Sequence, residues 1–319
     1  MEMRRLGADG PDISVVGFGS WEAGGHMWGK NASDRQVIEA VHAGLDAGMT
    51  WVDTAEVYGQ GESERLVGEA LRGRDDALVF TKVAPDDEGS GIRPEEIRRA
   101  MDASLGRLGR DHVDLYQIHW ADDRVPVEES WGAMAELVAA GKTRFIGVSN
   151  YDRELIERCL PIHPVASVQN KFSLLTQEDR PDLQSWLDEQ GIAYLGYSPL
   201  AAGRLTGAMS PDVRFAEDDW RSGRGEYESW REAGEEWSFD PDPLRRDLAL
   251  VERMRAVAQR LGLSVAQLAL RWALEQRGAT AVIAGSRNAE HARANAAAGS
   301  VRLDAETRAE LDALFHSAS

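Results

Sequence analysis

Short runs rich in β-branched and aromatic residues alternate with amphipathic stretches of helical period from one end of the chain to the other. Eight strands are predicted: Val15 to Gly19, Trp51 to Ala55, Leu78 to Val83, Val113 to His119, Thr143 to Ser149, Val165 to Asn170, Ala193 to Ser198 and Thr280 to Gly285. Strands separated by helical stretches are the pattern of a parallel sheet with crossover helices, and eight of them predict a closed (β/α)8 TIM barrel. The helices announce their starts. Ser33 with Gln36 and Ser264 with Gln267 have capping-box spacing, and Pro94 followed by Glu95 and Glu96 suits a first helical turn.

No polar linker or composition break divides the chain before residue 205, so residues 1–319 are read as one domain. The regular spacing fails only over 206–243, between strand seven and the next helix. This stretch is rich in Gly, Asp and Glu and carries Trp220, Trp230 and Trp237. It leaves from the face where such barrels place their sites, and three tryptophans need apolar surface to cover. A lid over that face and a passive excursion both fit.

Composition narrows the partners. With 43% hydrophobic residues the chain has ample material for a core, while a formal charge of −18 repels nucleic acid and anionic membrane surfaces. No apolar run approaches the roughly 20 residues needed to span a bilayer, and the start, MEMRRLGADG, lacks a secretory apolar stretch. The expected location is the cytoplasm. Cys159 is the single cysteine, which rules out an intrachain disulfide, and in ELIERCL it reads as a residue packed on a helix face.

Four polar residues fall at or just after predicted strand ends: Asp53 and Tyr58 in WVDTAEVYG, Lys82 in LVFTKV, and His119 in VDLYQIHW. A barrel gathers its strand C-termini at one face, where residues distant in sequence meet. Tyrosine holds its proton until about pH 10, so a proton-exchanging tyrosine needs a positive charge beside it, and Lys82 is the candidate. A lysine ending an apolar strand is costly to desolvate unless a carboxylate pairs with it, and Asp53 can do that. His119 could orient a substrate oxygen or relay a proton to it. Each residue alone has an ordinary reading, as a turn aromatic, a solvated charge, a core histidine or a helix cap. Their joint placement is what argues for a site.

Other chemistries lack their motifs. The histidines show no HExxH, HxH or Cys-paired spacing, so no metal is expected. Gly141 to Thr143 reads GKT, but Glu136 stands where a phosphate-binding loop needs its first glycine. Gly17 to Gly19 reads GFG but continues as SWE.

The ordered set DTAEVYG, a lysine ending strand three, a histidine ending strand four, GVSN, VQNKFS and GYSPLAAGRLTG resembles the aldo-keto reductase superfamily from about Leu6 to Phe315. It looks most like bacterial NADPH-dependent members of the stress-protein and inositol-operon type. The resemblance implies that Tyr58 is the general acid in carbonyl reduction, that Lys82 and Asp53 tune it, and that His119 orients the carbonyl. It also implies a nicotinamide stacked on Tyr197, with its carboxamide held by Ser149, Asn150 and Gln169. The pyrophosphate would run beside Ser198, Pro199, Leu200, Gly203 and Arg204. Gly285, Ser286 and Arg287 would wrap the adenosine 2′-phosphate at a helix start, with His291 and Asn295 nearby. A guanidinium forks well onto a phosphate, so NADPH/NADP+ is expected over NADH.

Departures from the family pattern are Ala284 in place of a proline, His291 in place of Arg or Gln, and Ala294 in place of a glutamate. The substrate pocket implied is an aromatic cleft walled by Trp21, Trp28 and Trp120, suited to small aldehydes, ketones or sugars. No nucleic acid or membrane partner is expected, and the chain is expected to be a monomer or weak homo-oligomer. Two alternatives stay open: a sugar dehydrogenase working in the oxidative direction, and a slow cofactor-sensing regulatory subunit.

Overall fold

The computed structural model of the chain describes all residues except 26, 30–31, 86–91, 180–181, 225–238 and 317–319. A short antiparallel hairpin comes first, β1 (Met3–Arg5) with β2 (Asp12–Ser14). Eight parallel strands follow: β3 (Val16–Gly19), β4 (Trp51–Asp53), β5 (Leu78–Val83), β6 (Val113–Ile118), β7 (Thr143–Ser149), β8 (Ser167–Lys171), β9 (Ala193–Tyr197) and β10 (Ala279–Gly285). They close in the order β10-β3-β4-β5-β6-β7-β8-β9. The eight predicted strands are these eight, with ends moved by a few residues. His119, predicted as the last residue of its strand, is the first beyond β6. The hairpin was not predicted, because three-residue strands give too short a pattern to read.

Helices fill the crossovers: α1 (Asp34–Asp46), α2 (Glu62–Ala70), α3 (Pro94–Leu108), α4 (Val127–Ala139), α5 (Arg153–Cys159), α6 (Asp182–Gln190), α7 (Pro241–Leu261), α8 (Val265–Leu274), α9 (Ala289–Ala297) and α10 (Ala305–His316). Both predicted capping boxes form, at Ser33 with Gln36 on α1 and at Ser264 with Gln267 on α8, and Pro94 opens α3. Among the described residues no helix is long and apolar enough to cross a membrane.

Two layers of core hold the barrel. The larger one lies between strands and helices and includes Cys159, buried on α5 as expected. The smaller one fills the barrel itself with Trp51, Phe80, Leu115, Ala193, Leu195, Ala281 and Ile283, and the hairpin residues Leu6 and Ile13 pack against it. Trp51 stacks on Phe80 with ring centroids 4.7 Å apart, and its indole nitrogen donates to the Ser14 carbonyl at 2.9 Å. The hairpin thus plugs the N-terminal end of the barrel.

The period of two along a strand carries this core up to the opposite mouth. Two residues beyond each inward apolar side chain stands another inward position: Asp53 after Trp51, Lys82 after Phe80, Gln117 after Leu115, Tyr197 after Leu195 and Gly285 after Ile283. The polar ring at the mouth is therefore the next layer of the core stack, held by the strands that pack the layer below.

Candidate active site

Lys82 and Asp53 lie side by side on neighbouring strands, both buried, with Nζ 2.5 Å from Asp53 Oδ1. The same ammonium donates to the Thr54 carbonyl at 2.9 Å and to Tyr58 Oη at 3.4 Å, so all three of its protons have acceptors. The other Asp53 oxygen accepts from Gln169 Nε2 at 2.8 Å, and that nitrogen also lies 3.3 Å from Gln117 Oε1. His119 follows β6 with its ring 5.6 Å from that of Tyr58, centroid to centroid. The four residues singled out in the sequence do converge.

Tyr58 reaches them from a turn pinned at both ends. Its amide donates to the Ala55 carbonyl at 3.1 Å, Glu56 N donates to Lys82 O at 3.3 Å, and Ala84 N donates to the Glu56 carboxylate at 2.9 Å. Beneath it the turn touches the loop after β3 through two glycines. A Cβ on Gly24 would sit 2.7 Å from Gly59 N, and one on Gly59 would sit 2.4 Å from Gly24 O. Only hydrogen at both positions lets the loops meet, and that contact places the Trp21 ring 6.2 Å from Tyr58.

Electrostatics divide the roles. Burial pushes the Tyr58 phenol well above the ordinary tyrosine value, and the charge of Asp53 adds to the rise. Burial lowers Lys82, opposed by the charge and hydrogen bond of Asp53. Burial, with the Lys82 charge behind it, holds His119 well below its usual value, so its ring is neutral at neutral pH. The Lys82 charge beside the phenol is itself balanced at 2.5 Å by Asp53.

A cleft of about 440 Å³ runs from this cluster across the mouth to α9. Trp21, Trp28, Asp53 and Tyr58 line one end, and Gly285, Ser286, His291 and Asn295 line the other. Gln169, Tyr197, Ser198, Pro199, Leu200 and Gly203 lie between. Ser198, Ala201 and Ala202 hold φ of 53°, 48° and 52°, a left-handed backbone that bends the segment after β9 along the cleft wall. The Tyr197 hydroxyl donates to Asn150 Oδ1 at 2.8 Å, while Asn150 Nδ2 donates to the His119 carbonyl and to Ser149 Oγ.

Several expected residues stand outside that lining. Lys82 lies beneath it, and Ser149 and Asn150 lie behind Tyr197. Arg204 turns away altogether: it is buried, pairs with Asp247 of α7 at 3.1 Å and stacks on Phe239, so its expected place beside a pyrophosphate is not where its guanidinium sits. Arg287 directs one nitrogen to the Gly29 carbonyl at 3.0 Å. Trp120, 39% exposed, lies beside His119 with ring centroids 4.5 Å apart.

The described part of the long loop is packed, not loose. Trp220 is buried against both Trp21 and Trp28, its amide donates to Met27 O at 2.8 Å, and Asp219 pairs with Trp28 in an isolated β-bridge. This segment roofs the Trp21 end of the cleft. Trp230, Trp237 and the rest of 225–238 lie outside the described residues. Glu22, Gln117 and Arg221 went unnoticed in the sequence. The period of two that predicts β6 could have found Gln117, inward-facing two positions before His119. Nothing local marks Glu22 or Arg221, which reach the cleft through loop folding alone.

A closed barrel of parallel strands with a Tyr-Lys-Asp-His cluster at its C-terminal mouth defines a class, and comparison with known proteins agrees. A family model described as "Aldo/keto reductase family" matches residues 15–315, and the chain belongs to that family. It is 34% identical over 295 residues to the aldo-keto reductase YhdN of Bacillus subtilis, covering 90% of this chain and 85% of that one. Among solved structures, the glycerol dehydrogenase AKR11B4 from Gluconobacter oxydans superposes with a TM-score of 0.83 at 31% identity, over 99% of this chain and 95% of the other. An aldo/keto reductase from Klebsiella pneumoniae, solved in complex with NADP and acetate, gives a TM-score of 0.75 at 29% identity, over 98% and 94%.

Proposed function

We propose that the protein transfers a hydride between NADP(H) and the carbonyl carbon of a small aldehyde, ketone or sugar, with Tyr58 as the proton donor when the carbonyl is reduced. The observation that carries this reading is the Tyr58 hydroxyl, 3.4 Å from a buried lysine, at the end of a long cleft in an aldo/keto reductase barrel.

The cleft fits such a cofactor in shape and donor set. The half-buried Tyr197 ring offers a stacking face near Tyr58, with Gln169 in the lining beside it for a carboxamide and Asn150 and Ser149 behind it, Asn150 accepting from the Tyr197 hydroxyl. At the far end, Ser286 and His291 flank the start of α9, whose dipole favours a phosphate, and Asn295 lines the cleft further along the same helix. Bound there, the reduced nicotinamide supplies the hydride, or the oxidised form accepts one.

The remaining chemistry belongs to the chain. Tyr58, kept protonated through neutral pH by burial, gives its proton to the carbonyl oxygen as that oxygen becomes an alkoxide. Lys82, facing the same phenol oxygen, stabilises the phenolate left behind, and Asp53 with Thr54 O fixes the ammonium. The neutral His119 ring has its Nδ1 buried without a hydrogen-bond partner among the described residues, and it donates from one ring nitrogen to the same carbonyl to orient it. Trp21 and Trp28 wall the Tyr58 end of the cleft with apolar faces, and Trp120 stands outside the lining against His119. Alcohol oxidation runs the same steps backwards, with Tyr58 receiving the proton. The fold likeness to a glycerol dehydrogenase favours polyols as substrates in that direction.

The test is a panel of aldehydes, ketones and sugars assayed for NADPH consumption by the wild type and by Tyr58→Phe. At least one carbonyl is expected to turn over about a hundredfold faster with the tyrosine, the ordinary worth of a positioned acid. Wild-type rates no higher than the variant's on every substrate sink the proposal.

A further inference from the structure

In the wall of the cleft stands a carboxylate that the reaction does not use. Gly19 on β3 pairs in register with Gly285 on β10, and the backbones approach so closely that a Cβ on Gly285 would lie 2.7 Å from the Gly19 carbonyl. From this shared point the two strands continue side by side, one as Ser20-Trp21-Glu22 and the other as Ser286-Arg287. Glu22, Ser286 and His291 consequently line the same cleft. Among the described residues no group hydrogen-bonds to the Glu22 side chain.

The charged groups that act on it come from two other elements. Arg287 and His291 belong to the β10–α9 connection, while Arg221 and Asp219 belong to the loop that roofs the cleft. Burial pushes the Glu22 carboxyl up, the charges of Arg287, then Arg221, then His291 draw it down, and Asp219 adds to the rise. Arg287 is also held by the chain itself, through its 3.0 Å bond to the carbonyl of Gly29, on the same β3–α1 connection as Glu22. The guanidinium expected to fork onto a 2′-phosphate already serves an acceptor of that connection, and its charge is the largest of those drawing the Glu22 carboxyl down.

We propose that Glu22 is a specificity-determining residue that limits the preference of the cleft for a 2′-phosphorylated cofactor, by competing with that phosphate for Arg287. The inference rests on the reading of the cleft as an NADP(H) site. It differs from the simple expectation drawn from Arg287 alone: the arginine attracts the phosphate, and Glu22 weakens that attraction. A phosphate monoester carries between one and two negative charges at neutral pH, so it meets both a cation shared with a neighbour and direct repulsion from that neighbour. A cofactor lacking the phosphate meets neither.

Binding, measured without turnover, tests this. Trp21 and Trp28 line the cleft, so quenching of tryptophan fluorescence reports dissociation constants for NADPH and NADH on the wild type, Glu22→Gln, Arg287→Met and the double variant. Glu22→Gln keeps the size of the side chain and removes its charge. It is expected to tighten NADPH about tenfold and NADH less than about twofold, the scale of one partly screened charge pair. In the Arg287→Met background the gain for NADPH is expected to fall to about twofold or less. Equal tightening of both cofactors, no tightening of NADPH, or a full gain persisting without Arg287 overturns the inference. If the wild type binds neither cofactor, the cofactor reading itself falls, and this inference with it.

Discussion

Lys82 has three obligations and meets all of them: to the Asp53 carboxylate, the Thr54 carbonyl and the Tyr58 hydroxyl. That economy makes the obvious mutant ambiguous. Lys82→Met removes the charge facing the phenol, but it also leaves the Asp53 carboxylate buried without its counter-ion, which costs about 3–5 kcal/mol. Loss of activity could then reflect a damaged barrel. The pair Lys82→Met/Asp53→Asn separates the effects, since it removes both charges while nearly preserving volume. Urea unfolding is expected to show the single variant severely destabilised and the double variant recovering most of the loss, with turnover low in both. Recovery of turnover along with stability would show that Lys82 serves folding and not proton transfer. The sequence announced this residue through its position at a strand end; its balance against Asp53 appeared only once the distances were known.

Among elements, the site depends less on strands than on two connections that touch. The strands were readable because their signal is local: β-rich runs for the barrel, Ser-x-x-Gln spacing for two helix starts, Pro94 for a third. The turn that carries Tyr58 and the loop that carries Trp21 have no such signal, and their contact is made by Gly24 and Gly59 across 35 residues of chain. Gly59 also holds φ of 60°, so a side chain there is strained as well as crowded. Gly59→Ala is expected to cost about 1–3 kcal/mol of stability and to lower kcat by about tenfold or more, because it displaces the phenol from Lys82. Affinity for NADPH should change much less, since the far end of the cleft is built by β10 and α9. A variant with normal kcat would show that Tyr58 is positioned by its own turn and not by this contact. The long loop shows a similar divide. Its three tryptophans signalled a need for apolar cover, yet the particular partners of Trp220, Trp21 and Trp28, come from the opposite end of the sequence.

For the molecule as a whole, the floor of the site is the core of the barrel. Gly17 has no room for a side chain, because a Cβ there would lie 2.2 Å from the Trp51 indole. That indole in turn fixes the register of β4 beside β3 and places Asp53 two residues further up. Gly17→Ala is expected to destabilise the protein by about 1–3 kcal/mol through overpacking, with a lower thermal midpoint. Adding Trp51→Leu makes space and is expected to make the glycine substitution nearly neutral in that background. If the two losses simply add, Gly17 is not required by the tryptophan. The sequence by itself determined the class of fold, the number of barrel strands and the identity of four residues that meet, because hydrophobic period and strand ends are properties of neighbours along the chain. Tertiary structure alone decided that Arg204 faces Asp247, that Arg287 faces the β3–α1 connection, that Glu22 enters the cleft and that an unpredicted hairpin seals the barrel floor. Each of those depends on loops and strand edges brought together across large separations, where packing and charge balance decide what local sequence leaves open.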